Sequence, residues 1–213
     1  MSSRRLPVYL LLDTSGSMRG EPIQSVNVGL QAMLNALRQD PYSLESVHLS
    51  VITFDVEAKT LIPLTPIESV QLPEITVPGS GATFLGAALE LVTTAVRSDV
   101  LRSSSERKGD WRPMLFLMTD GNPSDLQAYR DMIPAVRALN FASVVACAAG
   151  PKAKVELLRE LTDQVYSLDT TDSATFSQFF KWVSASVAAG SSSAGLNASN
   201  ALPEPPAGVN VVL

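Results

Sequence analysis

Two uncharged apolar runs, each ending in a carboxylate, constrain this chain more than any other feature. Leu6-Pro7-Val8-Tyr9-Leu10-Leu11-Leu12 runs into Asp13, and Met114-Leu115-Phe116-Leu117-Met118 runs through Thr119 into Asp120. Short runs of this kind, rich in aliphatics and with no polar face, read as strands buried on both sides of a sheet. Such a sheet is parallel, and its crossover connections must be helices that cover both faces. The intervening segments supply them. Ile23, Val26, Leu30, Met33, Leu34 and Leu37 fall at i, i+3, i+7, i+10, i+11 and i+14, which is one helical face. Leu85, Ala88, Leu89, Val92 and Val96 form a second stripe, and Phe176, Phe179, Phe180, Val183 and Val187 mark a final helix.

The remaining elements fill in between. Val47 to Phe54, Ala142 to Ala148 and Val165 to Leu168 read as further strands. Ala58 to Leu64 follows Phe54 too closely for a crossover, so this pair is an antiparallel hairpin at a sheet edge. Ser124 is the expected N-cap of a helix over residues 125–132, broken or restarted at Pro134, and 152–162 forms another. The expected fold is α/β and doubly wound. It has a mostly parallel six-stranded sheet, one antiparallel edge strand, and helices on both faces.

Composition narrows the role. The chain has 213 residues and 46% hydrophobic content, enough for one cored domain, placed at residues 1–189. Residues 190–213 open on Gly-Ser-Ser-Ser-Ala-Gly and pass through Pro203-Glu204-Pro205-Pro206, a linker composition too poor in apolar residues to fold alone. The closing Val209-Asn210-Val211-Val212-Leu213 either docks on a protein surface, its own or another's, or is a free end. A net charge of −5 argues against nucleic acid, since the basic cluster Arg102 to Arg112 is broken by Glu106 and Asp110. No segment approaches the length of a membrane span. Ser3-Arg4-Arg5 precedes an apolar run that is too short, carries Pro7 and ends in Asp13, so it reads as a first strand and not an export signal. The single cysteine, Cys147, lies within an apolar run and reads as a core thiol in a reduced compartment. The expected location is cytoplasmic.

The chemistry sits after the strands. Asp13, Ser15 and Ser17 alternate on the loop leaving the first strand, where residues spaced by two can turn toward one point. On their own they also fit an ordinary turn. Val77-Pro78-Gly79-Ser80-Gly81-Ala82-Thr83 is a small-residue loop that delivers a third hydroxyl, and the second run delivers Asp120. Loops at the carboxyl ends of parallel strands share one rim, where ligands bind. Carboxylate and hydroxyl oxygens are what a hard cation such as Mg²⁺ accepts.

Asp-x-Ser-x-Ser at 13–17, Thr83 after a glycine-rich loop, and Thr-Asp-Gly at 119–121 resemble the metal-ion-dependent adhesion site of the von Willebrand factor A family, with every position matched. The resemblance covers about residues 6 to 189 and implies a Mg²⁺ site, with Mn²⁺ or Ca²⁺ as alternatives. It implies Ser15, Ser17 and Thr83 as direct ligands, and Asp13 and Asp120 as ligands bound directly or through water. It also implies recognition of a carboxylate from a protein partner through the metal, by a binding module that is not an enzyme. The opening Pro-Val-Tyr-Leu-Leu-Leu-Asp-Thr-Ser-Gly-Ser-Met-x-Gly-Glu-Pro-Ile and the later Phe-Leu-Met-Thr-Asp-Gly-x-Pro look most like the stand-alone TerY-type members of bacterial tellurium-resistance clusters. That likeness implies a stress-response adaptor whose partners include an associated protein kinase or phosphatase.

Rival chemistries lack their parts. An aspartyl phosphatase needs a second Asp where Ser15 stands, and no Gly-x-x-x-x-Gly-Lys-Ser/Thr phosphate loop occurs. Gly79-Ser80-Gly81 is followed by Phe84 where a dinucleotide fingerprint requires glycine. His48, the one histidine, lies in a strand, so neither a zinc cage nor a Ser-His-Asp triad assembles. A metal-dependent hydrolase or phosphatase is the alternative reading, because a bound cation can activate water. It lacks an evident general base.

Overall fold

The computed structural model describes residues 4–79, 81–105, 107–150, 153–193 and 202–212. Its seven-stranded sheet has the order β3-β2-β1-β4-β5-β6-β7. The strands are β1 Leu6–Asp13, β2 Val47–Phe54, β3 Ala58–Pro66, β4 Met114–Thr119, β5 Ser143–Ala149, β6 Gln164–Leu168 and β7 Val209–Val211. Strands β2, β1, β4, β5 and β6 are mutually parallel, while β3 and β7 run antiparallel at the two edges. Every residue of β1 and β4 is buried, as uncharged runs at the centre of a doubly covered sheet must be. The reversal of strand order between β1 and β4 makes the topological switch point, where the carboxyl ends of the strands open a crevice.

Helices cover both faces. On one side lie α1 (Glu21–Gln39), the short α2 (Pro41–Ser46) and α6 (Ser173–Ser193). On the other lie α3 (Leu85–Asp99), α4 (Leu126–Arg137) and α5 (Val155–Leu161). The stripes read from the sequence face inward: Ile23 through Leu37 on α1, and Phe176, Phe179, Phe180, Val183 and Val187 on α6 are all buried. Along the α1–α6 seam, a methyl group at Gly29 would overlap the Phe180 ring, so only glycine admits this crossing. Ser25 and Ser173 exchange a 2.9 Å hydroxyl contact near one end of the seam, and α2 adds Ser43 to Ser191 at 3.3 Å near the other.

Three expectations are corrected. The sheet has seven strands, antiparallel at both edges, where six with one antiparallel edge were expected. The extra strand comes from the expected tail: β7 satisfies the free edge of β6, and the expected boundary at residue 189 falls inside α6, which continues to Ser193. Helix α4 runs unbroken through Pro134, and Ser124 does not cap it. In the polar stretch before β4, residues 101–105, 107 and 108 are exposed, while Asp110 and Trp111 are held by the arginines that precede β1. Arg5 grips Asp110 with two contacts, at 2.9 and 2.6 Å, and the Arg4 guanidinium stacks 3.5 Å above the Trp111 ring. No described helix is long and apolar enough to cross a membrane.

Candidate metal centre

The rim where β1, β2 and β4 end gathers the polar residues of interest. Asp13 closes β1 and Asp120 directly follows β4; the two strands are hydrogen-bonded neighbours, so residues more than a hundred positions apart become adjacent. A 3-10 turn, Gly16–Met18, folds the segment after Asp13 back over the rim, and its burial of Met18 fixes that turn. Ser15 and Ser17 thereby face the same place: their hydroxyl oxygens are 3.2 Å apart, and Ser17 Oγ donates to Asp120 Oδ1 at 2.7 Å.

Thr83 arrives from the far side. The long irregular segment between β3 and α3 is fastened to α1 along its course. The Arg38 side chain donates to the carbonyls of Ile67 and Val70, and Asn27 exchanges two bonds with Ile75. At its end, Thr83 N donates to Ser124 Oγ at 3.0 Å while Ser124 N donates to Thr83 O at 2.8 Å. This reciprocal pair occupies the Ser124 hydroxyl, which therefore does not cap α4. Asp125, just before α4, accepts from Gly86 N and Ala87 N in the first turn of α3. Thr83 Oγ1 lies 3.2 Å from where a side chain at Gly121 would begin. A glycine after Asp120 is what leaves that hydroxyl room. The structure therefore brings Asp13, Ser15, Ser17, Thr83 and Asp120 to one rim.

A second layer of bonds orients the first. Asp13 accepts from Ser15 N at 2.8 Å and from Thr119 Oγ1 at 2.5 Å. Thr119 Oγ1 in turn accepts from Gly121 N. Thr14 donates to Asp55 Oδ2 at 3.1 Å, and Asp55 O accepts from Phe84 N, tying β2 to the Thr83 loop. Thr119 is read from the sequence only within the Thr-Asp-Gly motif and Ser124 only as a helix cap, while Thr14, Asp55 and Asp125 are not singled out there. Asp55 carried a readable signal, since β2 is a third apolar run that ends in a carboxylate. Thr14 and Asp125 act through partners distant in sequence and carry none.

Electrostatics single out Asp13. It is 1% exposed, and burial pushes its carboxyl up to about 6, with the neighbouring Asp120 charge adding to the rise and bonds from Ser15 and Thr119 opposing it. Among the described residues no basic side chain pairs with it. A buried carboxylate in this position is relieved by a cation.

The donor set fits a hard one. Adjacent oxygens around an octahedral ion with bonds of about 2.1 Å lie about 3.0 Å apart, and the Ser15–Ser17 and Ser17–Asp120 spacings of 3.2 and 2.7 Å bracket that value. Among the described residues no three His, Cys, Asp or Glu side chains cluster as an all-charged metal cage would require. The set that does form is two carboxylates and three hydroxyls. Ser15, Thr83, Asp13 and Asp120 are buried while Ser17 is exposed, so the rim opens to solvent beside Ser17.

Fold and rim together define a Rossmann-like α/β domain with an oxygen-rich constellation at its switch point. The sequence profile of the von Willebrand factor type A domain matches residues 8–182, and the chain belongs to that family. No curated protein matches the sequence. Solved structures share the fold at low identity. Proximal thread matrix protein 1 from the mussel byssus, solved with a zinc-occupied MIDAS motif, superposes with a TM-score of 0.63 at 17% identity, over 86% of this chain and 48% of that one. A von Willebrand factor type A protein from Catenulispora acidiphila gives 0.66 at 14%, over 88% and 43%. Manganese-loaded TRAP protein from Plasmodium vivax gives 0.56 at 19%, over 84% and 74%. The chain thus spans about half the length of the mussel protein.

Proposed function

We propose that Asp13, Ser15, Ser17, Thr83 and Asp120 hold a divalent cation and that the domain is a metal-dependent protein-binding module, an adaptor and not an enzyme. The observation that carries this reading is the continuous oxygen path from Ser15 through Ser17 to Asp120, beside a buried carboxylate that has no basic partner among the described residues. The small hydroxyl ligands favour Mg²⁺ or Mn²⁺ over the larger Ca²⁺. The zinc and manganese in the mussel and Plasmodium structures support a divalent ion of this size.

The protein's own part is positioning. Thr119 and Ser15 N fix both Asp13 oxygens, Ser124 fixes the backbone of Thr83, and Gly121 keeps its hydroxyl clear. Three of the five ligands are neutral. With the three hydroxyls bound directly and the two carboxylates acting through water, a cation there would keep an open position and incompletely screened charge, which would attract a partner's carboxylate. The rim's exposure beside Ser17 supports an approach from that side.

The motif likeness to TerY-type proteins extends the reading to a cytoplasmic adaptor in a tellurium-resistance or stress-response system, with an associated kinase or phosphatase among its partners. Retention of such a partner from native lysate in Mg²⁺, its release by EDTA, and its loss with Thr83→Ala are the expected results. Retention that ignores both EDTA and the substitution contradicts the adaptor mechanism. Hydrolytic turnover by the pure protein in Mg²⁺, abolished by Asp120→Ala, establishes the enzymatic alternative instead.

A further inference from the structure

The end of the chain behaves as a ligand of its own domain. Residues 202–206, Leu-Pro-Glu-Pro-Pro, have no regular secondary structure, and Val209–Val211 then adds β7 to the edge of β6. Trp182 Nε1 on α6 donates to the carbonyl oxygen of Pro203 at 2.9 Å. Its ring lies 4.6 Å from Tyr166 and 6.0 Å from Phe179, centroid to centroid, and Leu202 packs on the same core face. An indole N–H flanked by aromatic rings, donating to the carbonyl of a proline segment, is the chemistry by which grooves recognise proline-rich peptides. Proline fixes φ in advance, so little entropy is lost on docking, and carbonyls unpaired within the segment remain free to accept.

The strand that follows uses a second recognition mode. β7 pairs Val211, Asn210 and Val209 with Tyr166, Ser167 and Leu168, and Val212 N donates to Val165 O at 3.0 Å. Asn210 Nδ2 donates to Asp169 Oδ1 at 2.8 Å and pins the register. Val209 joins the core on the α1–α6 side, whereas Val212 packs against the opposite core. The segment straddles the sheet edge as an added strand does.

The strand itself is nevertheless short. Three residues make the strand, only Val209 among them is buried, and Val211 is 49% exposed. Segments with so few buried contacts open at a small fraction of the global unfolding free energy.

We propose that the cleft formed by Trp182, Tyr166 and the β6 edge is a second protein-binding site. It takes an extended proline-containing segment that ends in a short strand. Residues 202–212 occupy it in place of a partner segment of the same pattern. The cleft lies beyond β5 and β6 from the β4 rim, on separate residues, so it works without the metal.

The test uses the whole chain. A short tether supplies an effective concentration on the order of millimolar, so free peptide competes poorly with the attached segment. A specific protease site placed within 194–201 allows the folded protein to be nicked without losing any residue. A labelled peptide of residues 202–212 should then bind nicked protein about tenfold or more tightly than uncut protein. EDTA should not change either affinity. Trp182→Phe, which keeps an aromatic ring but removes the donor, should weaken binding to the nicked form about tenfold. In the uncut chain, Val209→Asp should redden Trp182 emission, and added peptide should reverse it. A nicked segment that never exchanges makes it a fixed part of the fold and overturns the proposal. So does equal binding by Trp182→Phe, or peptide binding abolished by EDTA. Dimers of uncut protein with exchanged segments would make a second copy the occupant and overturn the assignment to a different protein.

Discussion

The α1–α6 seam and the rim at the ends of β1 and β4 are both buried, yet they are built on different principles. The seam is held by shape: an aromatic ring from α6 fills the space that Gly29 leaves on α1. The rim is held by side-chain hydrogen bonds between residues from β1, β4 and the loops around them. Atoms removed from the seam leave a cavity or a clash in the middle of the core. Atoms removed from the rim leave space at a crevice that solvent can enter beside Ser17. The contrast teaches where this sequence commits to folding and where it commits to binding. Seam substitutions should move stability and spare binding, and rim substitutions should do the reverse.

The largest effect is expected at Phe180. Phe180→Ala should destabilise the domain by about 3–5 kcal/mol through a cavity against α1, read as a lowered denaturant midpoint. Mg²⁺ affinity of the folded fraction should not change; a matching loss of affinity would erase the contrast between the regions. Gly29→Val attacks the same contact from the other side and should cost about 1–3 kcal/mol, because overpacking displaces the Phe180 ring.

Asp13 sharpens the comparison by separating fold from function at a single residue. Its carboxyl is raised from 3.8 to about 6, so between those values the folded state binds more protons than the unfolded one. Metal-free stability should therefore fall as pH rises through this window, by an amount on the order of 2–3 kcal/mol, and level off above it. Asp13→Asn removes the titration. Its amide nitrogen can donate to Thr119 Oγ1 in place of the bond that Thr119 now gives, and its oxygen can still accept from Ser15 N. In EDTA the mutant should match or exceed the wild type in thermal stability above pH 6 and lose the pH slope. A mutant that melts well below the wild type would place Asp13 with the seam as a folding residue. The smallest effect on stability is expected at Gly121. Gly121→Ala puts a methyl 3.2 Å from Thr83 Oγ1 and should leave stability within about 1 kcal/mol while weakening metal-dependent partner binding.

The two regions also differ in how legibly the sequence announced them. Seam helices follow from periodicity alone, because apolar residues at 3.6 spacing have one place to go. Of the rim's five residues, Asp13 and Asp120 are visible because each follows an uncharged run that marks a buried strand, while Ser15, Ser17 and Thr83 join them through the likeness to the metal-ion-dependent adhesion site. What stayed hidden depends on contacts between distant residues. Ser124 looked like a cap because a hydroxyl before a helix usually is one, but the backbone of Thr83 claims it. The segment between β3 and α3 offers no pattern that would disclose Arg38 and Asn27 as its fasteners. Strand β7 is three residues long with one buried side chain, too brief for alternation to show, and its partner edge exists only once β6 is in place.

What sets the rim apart from the seam is divalent-cation binding through its five residues. Titration of the metal-free protein with Mg²⁺ in a calorimeter, alongside Asp13→Asn and Asp120→Ala, tests it most directly. One saturable site in the wild type is predicted, lost in both variants while their far-ultraviolet circular dichroism matches that of the wild type. Mg²⁺ binding of unchanged affinity in both variants would contradict the claim.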